Sequence, residues 1–320
     1  MPDEIPMRFF LEETSFELPA GLDFAAIERC LEAFVGLMRA RHEQAHEVFR
    51  WSRLDEIEVR PGTPFCDLLY QEVASLPIDH DLRKALQEVI NRCVHWDERV
   101  ESAPPPLVDI AGVSCTSPTG ALVHALLSAQ HGIACLSPGA RAERAGPVSV
   151  RVGAVAHEVY FITDEAHLPL FYRTLFEVED LDADAYMENA PFAFPQLIFA
   201  PGLASQFVRF ATPYSEVRSH VTKHLSVLND HFQRVHKERK DTTDAAIGAY
   251  GIDASLERGK THKNKAAMKQ RTVAIDGVPV VCEWHTKIKR HEDRIYFDPG
   301  DPKVAGGRLV VGHFAKHFDL

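Results

Sequence analysis

The chain has 320 residues, 45% of them hydrophobic and 25% charged, an ordinary composition for folded domains and enough length for two of them. Its net charge of −11 excludes a uniformly basic polyanion binder, and no run of about 18 apolar residues is present to cross a membrane. The opening MPDEIPMRFF lacks the basic-then-apolar pattern of an export signal, so a cytoplasmic protein with no membrane partner is expected.

From Phe24 to Trp51 apolar residues recur at three-and-four spacing (Phe24, Ile27, Leu31, Phe34, Val35, Met38, Ala45, Val48, Phe49), which predicts one long buried-stripe helix. Pro61-Gly62 breaks the pattern, and a second helix is predicted from about Leu82 to Trp96. Pro104, Pro105 and Pro106 make a stiff spacer, Leu107–Val113 reads as a strand, and Gly120–Ala129 as a short helix. Val148, Val150 and Val152 alternate with polar residues as a half-exposed strand does, and Val155–Ile162 follows as its neighbour. Thr163-Asp164 is a helix cap, 192–199 an irregular buried segment interrupted by Pro195, and Tyr214–Lys240 a long helix with Val217, Val221, Leu225, Leu228, Phe232 and Val235 on one face. The six cysteines contain no C-x-x-C pair and read as buried thiols.

Charge divides the chain. Residues 231–320 hold 17 Lys+Arg against 12 Asp+Glu, or +5, leaving 18 against 34, or −16, for the first 230. Residues 241–271 are poor in large apolar side chains and carry RGKTHKNKAAMKQR, so they read as a basic linker or arm, with Lys260, Lys263, Lys265, Lys269 and Arg271 as phosphate contacts. The expected organisation is α+β: an acidic α/β region over 1–240, the arm over 241–271, and a small antiparallel β module over 272–320.

Within that module, Thr272–Ile275 is a strand and Asp276-Gly277 a hairpin turn. In the return strand VPVVCEWHTKIK, Val280, Cys282, Trp284, Thr286 and Ile288 face one way, and Val281, Glu283, His285, Lys287 and Lys289 the other. RIYF and RLVVGHF supply two more strands. Metal-free cleavage of RNA needs a base for the 2′-hydroxyl, a donor for the leaving oxygen and fixed positive charge for the phosphorane-like transition state. His285, His313 and His317 are candidates for the acid and base, with Lys287 and Arg294 holding the phosphate and Lys289 and Lys316 extending the contact. The same face would serve a nucleic-acid-binding or interaction module that does not cut.

The run from Asp276 to His317, with EWHTK, RIYF and GHFAKH, resembles the C-terminal module of a largely uncharacterised group of bacterial proteins. Its strand pattern and basic face also resemble the RelE/ParE-type endoribonuclease toxins. That resemblance implies a RelE-like sheet, an RNA substrate and no cofactor. It also implies a place in a toxin–antitoxin system, with an antitoxin partner. The long acidic region has no counterpart in those compact toxins, which argues against a free-standing toxin; it is expected instead to sense, restrain or deliver the module, as in multidomain antiviral defence proteins, with a defence partner.

One motif points elsewhere. His42-Glu43-Gln44-Ala45-His46 is a literal H-E-x-x-H, which on a continuous helix would put two imidazoles on one face to bind zinc with Glu43 as base. Arg41 and Glu47 charge its flanks, and no third ligand is identifiable among Asp55, Glu56 and Glu58. Phosphate-loop and G-x-S-x-G patterns are absent from the sequence, and His220 and His224 read as core histidines of the last long helix.

Overall fold

A computed structural model describes residues 7–98, 107–115, 119–127, 132–257, 259–289 and 292–316. The proline spacer and His317 lie outside the described residues, as does the side chain of Lys260. The chain is α+β and divides into two compact units, Met1–Phe171 and Tyr172–Leu320. The division falls well before the expected linker at 241–271, because the long helix and the supposed arm both pack into the second unit.

The first unit is built on an eight-stranded sheet. Its strands are β1 (Phe9–Leu11), β2 (Val48–Arg50), β5 (Val94–His95), β6 (Val108–Ile110), β7 (Val113–Cys115), β8 (Ala134–Leu136), β9 (Gly146–Val152) and β10 (Val155–Ile162). A small pair, β3 (Glu58–Arg60) and β4 (Thr63–Pro64), stands apart. The order is β5-β2-β1-β8-β10-β9-β6-β7; the first five strands are parallel and the rest antiparallel. Helices α1 (Phe24–Glu43), α2 (Phe65–Tyr70), α3 (His80–Asn91) and α4 (Gly120–Leu127) lie between the strands in the chain, the alternation that parallel strands require. The central β1, short and buried on both faces, shows none of the alternation by which half-exposed strands are found. Gly120 opens α4 so close to β1 that a Cβ would stand 2.5 Å from the Leu11 carbonyl oxygen.

Helix α1 stops at Glu43, not at Trp51. Ala45 takes a left-handed φ of 58°, and Val48–Phe49 continue as the buried β2. The second predicted helix ends similarly at Asn91, its last residues forming β5. The valine strands, the Asp164 cap and the hairpin of β9 and β10 stand as expected. Helix α5 (Leu168–Val178) spans the division between units.

In the second unit, α6 (Ala183–Ala193) and β11 (Leu197–Phe199) replace the expected irregular segment. Helix α7 (Tyr214–Val227), a π turn (Leu228–Phe232) and α8 (Gln233–Glu238) form the long helix, and all six of its predicted stripe residues are buried. The arm is structured. It supplies α9 (Thr243–Gly248), β12 (Asp253–Leu256), α10 (Gly259–Lys263) and α11 (Lys265–Gln270). The chain closes with β13 (Thr272–Ile275), β14 (Val278–Val281), β15 (Trp284–Lys287), β16 (Asp293–Asp298) and β17 (Leu309–Lys316).

The C-terminal sheet is therefore not confined to 272–320. Its order is β11-β17-β16-β15-β12, with β11 parallel to β17, so both edge strands come from earlier in the chain. The Asp276-Gly277 hairpin forms as expected, with φ of 50° and 79°, but β13 and β14 make their own two-stranded sheet. The return strand breaks at Cys282-Glu283, so only its second half joins the five-stranded sheet.

Candidate functional site on the C-terminal sheet

Cross-strand register aligns the polar face. Ser255, His285, Tyr296 and His313 lie opposite one another on β12, β15, β16 and β17; Asp253, Lys287, Arg294 and Ala315 form the next row. Because side chains alternate along a strand, both rows project from one face. The opposite face carries Thr286, Ile295 and Phe314 with Trp284 and Phe297, and Phe232 of the π turn packs on Trp284 and Phe297. Four of the sequence candidates, His285, Lys287, Arg294 and His313, thus share one face.

That face is not open along its length. His285 is 5% exposed, Arg294 7% and His313 9%. Arg271 lies over the Tyr296 ring at 5.3 Å, and Val273 packs with Cys282, Tyr296 and Ala315. Gly312 makes this closure possible, since a Cβ there would stand 2.3 Å from Cys282 Sγ.

Acids interleave with the bases. Glu257 Oε1 lies 3.1 Å from His285 Nδ1 and 3.2 Å from an Arg271 Nη, while Thr261 Oγ1 donates to Oε2 at 3.1 Å. The His285–Glu257 approach is close but outside the alignment of a straight hydrogen bond. On the other ring nitrogen, Nε2 stands 3.3 Å from Ser255 Oγ. Burial alone would raise Glu257, but His285, Arg271 and Thr261 hold it down at about 2. Burial lowers His285, and Arg294 and Lys287 lower it further against the opposing pull of Glu257. The result is a neutral imidazole between a carboxylate and a hydroxyl. His313 is likewise held down at about 4, by burial and then by Arg209 and Arg271.

The expected phosphate contacts separate into two groups. Lys263, Lys265 and Lys269 are exposed on α10 and α11, and Lys289 and Lys316 are exposed at strand ends. Lys287 is bound by Asp253 at 2.9 Å. Arg271 is not a solvated contact: at 1% exposure, with Nη1 donating to the Ala267 carbonyl, it ties α11 to Glu257. Arg294 Nε has no hydrogen-bond partner among the described residues. Ser255 and Glu257 are the residues that sequence reading passed over. Their signal was the polar alternation Asp253, Ser255, Glu257, hidden inside a segment read as linker.

The zinc motif does not assemble. Helix α1 ends inside it, so His42 and His46 are not one turn apart on a helix. His42 Nε2 faces the Val89 carbonyl at 3.3 Å, and His46 packs on Phe9 with its pKa lowered to about 4 by burial and then by Arg41 and Arg8. No group of three metal-ligating side chains is found among the described residues. His224 is buried against Thr286 Oγ1 at 2.6 Å, as a core histidine, whereas His220 is exposed.

In the first unit, strand order reverses between β1 and β8, where open parallel sheets hold ligands at the strands' carboxyl ends. Here the chain's own groups fill the place. Glu12 accepts from Thr14 N and Oγ1, Arg144 donates to Thr14 Oγ1 and the Ile110 carbonyl, and Glu12 and Arg144 are fully buried 3.6 Å apart. Compared with known protein families, curated proteins and solved structures, the chain matches none.

Proposed function

We propose that the second unit acts on RNA and cleaves its backbone without a metal. The observation that carries this reading is the register of β15, β16 and β17, which gathers His285, His313, Lys287 and Arg294 on one face. His285 is the general base: a neutral imidazole accepts the proton of an attacking hydroxyl, and Nε2 already faces one in Ser255. Arg294 and Lys287 supply positive charge for the pentavalent transition state. Exposed Lys263, Lys265, Lys269, Lys289 and Lys316 hold flanking phosphates. The likeness to RelE/ParE-type toxins supports the same substrate and extends the proposal to a growth-arresting effector with an inhibitory or defence partner.

A binding unit that does not cut is the second reading, favoured by the burial of His285, Arg294 and His313. One experiment separates them. The sheet borrows β11 and β12, so the full chain is used, incubated with labelled RNA in EDTA beside H285A/K287A. Cleavage by the parent and its loss in the folded double variant support the nuclease. Retarded but intact RNA selects the binding unit, and cutting by the double variant equal to the parent's refutes the assignment.

A further inference from the structure

We propose that Ser255 is the nucleophile of this site, activated by His285 and aligned by Glu257. The inference rests on the phosphodiester-cleaving reading above and specifies its covalent step.

Three groups stand in series. Ser255 Oγ lies 3.3 Å from His285 Nε2, and His285 Nδ1 lies 3.1 Å from Glu257 Oε1. A serine hydroxyl is a weak nucleophile until a neighbouring base takes its proton, and that base works only in the tautomer whose far nitrogen carries hydrogen. The charge of a carboxylate 3.1 Å from Nδ1 favours the proton on that nitrogen even without straight hydrogen-bond alignment. Glu257 is fixed in turn by Arg271 and Thr261, so it is a positioning residue rather than a catalytic one. The groups facing the imidazole are Glu257 from the end of β12, Lys287 from its own strand and Arg294 from β16; burial first, then the two cations, keep it unprotonated and ready to accept against the pull of Glu257.

Access and charge favour the same assignment. His285 is 5% exposed, whereas Ser255 is half-buried on β12, the sheet's edge strand. A substrate therefore meets the hydroxyl before the ring. Arg294 is buried in the adjoining row, its Nε without a hydrogen-bond partner among the described residues, and it places positive charge beside the hydroxyl.

Water is the single co-reactant. Ser255 Oγ bonds to phosphorus as the bond from phosphorus to the 5′-oxygen breaks. The hydroxyl proton passes to His285 Nε2 and then to the leaving 5′-oxygen. Water attacks the phosphoseryl ester, its proton passing through Nε2 to Oγ, and a 3′-phosphate is released. The 2′-hydroxyl of the substrate takes no part, which departs from the 2′-hydroxyl chemistry anticipated from sequence.

The probe is diisopropyl fluorophosphate on the full chain, read by intact mass and peptide mapping. The expected result is one diisopropylphosphoryl adduct on Ser255, with fluoride released, at least tenfold slower in H285Q and slowed in E257Q. The labelling rate should rise with pH and level off, with a midpoint below the ordinary histidine value. Circular dichroism confirms that each variant is folded, and S255C, labelled by iodoacetamide, tests whether the position is reachable when the serine variants are inert. No adduct on Ser255 despite a reachable S255C, or labelling indifferent to H285Q, overturns the proposal. An oligonucleotide with 2′-deoxyribose at the cleaved linkage should be cut at the parent rate; a block there overturns the nucleophile but leaves RNA cleavage standing. Labelling of Ser255 without any RNA cleavage would instead refute the phosphodiester reading on which the substrate assignment rests.

Discussion

Replacing Glu257 by Gln keeps the shape of the side chain and its acceptor for Thr261 but removes the charge that faces Arg271 and His285. Glu257 is held at about 2, against roughly 4.3 for an unfolded glutamate, and at about 1.36 kcal/mol per pKa unit this is worth at most about 3 kcal/mol at pH 7, where the neutral His285 leaves Arg271 as the facing charge. Its side chain is 8% exposed, so solvent screening takes little from that figure. The folded pKa lies below the unfolded one. The stabilisation is therefore complete above about pH 5 and is lost as pH falls through 4.3 towards 2. The buried neutral His285 adds loss in the same direction, below the ordinary histidine value. The assay is urea unfolding followed through Trp284, with Trp51 and Trp96 replaced by Phe so that the second unit is read alone. With a slope of ~2 kcal/mol/M, E257Q should lower the midpoint by up to about 1.5 M at pH 7, and the gap should shrink below pH 5 to about half its size near pH 3. A gap below about 1 kcal/mol at pH 7, or one that stays constant with pH, would refute the reasoning.

Other outcomes follow from the same contacts. Gly312→Ala forces a Cβ against Cys282 Sγ and should cost about 1–3 kcal/mol; adding Cys282→Ala should restore most of it, and an additive double-variant cycle would contradict the contact. Thr286→Val leaves His224 without its 2.6 Å hydroxyl partner and should destabilise the second unit by about 1–3 kcal/mol in thermal unfolding. In the first unit, Arg144→Leu strands Glu12 in a fully buried site and should cost about 3–5 kcal/mol, read through Trp96 fluorescence; a change under 1 kcal/mol would show the pair to be dispensable. Replacing His42 and His46 by Ala together should leave the metal content of the purified protein unchanged, as their separation by the end of α1 requires.

The sequence was most legible where periodicity ran long. The stripe from Val217 to Val235 and the alternation of Val148, Val150 and Val152 mark a buried helix and a half-exposed strand, and Asp276-Gly277 marks its turn because few residues adopt left-handed φ. Short elements escaped. Phe9–Leu11 is three buried residues long, too short for any period, yet it is a central strand of its sheet. Val48 and Phe49 continue the helical spacing of α1 in the sequence but form β2, because buried apolar residues satisfy helix and strand spacing alike. The charge run at 258–271 concealed most: Lys263, Lys265 and Lys269 are solvated as expected, but Arg271 is drawn inside by Glu257, and β12 just before the run provides Ser255. Pairing between distant segments decided that, and composition does not record it.

The most direct test of the account is the rate of RNA cleavage by the full chain in EDTA, measured for the parent and for a folded H285Q variant. Cleavage that persists in EDTA and falls at least a hundredfold on loss of the imidazole is the predicted result. Cleavage that requires a divalent metal, or that proceeds in H285Q at the parent rate, would contradict a metal-free centre on this sheet.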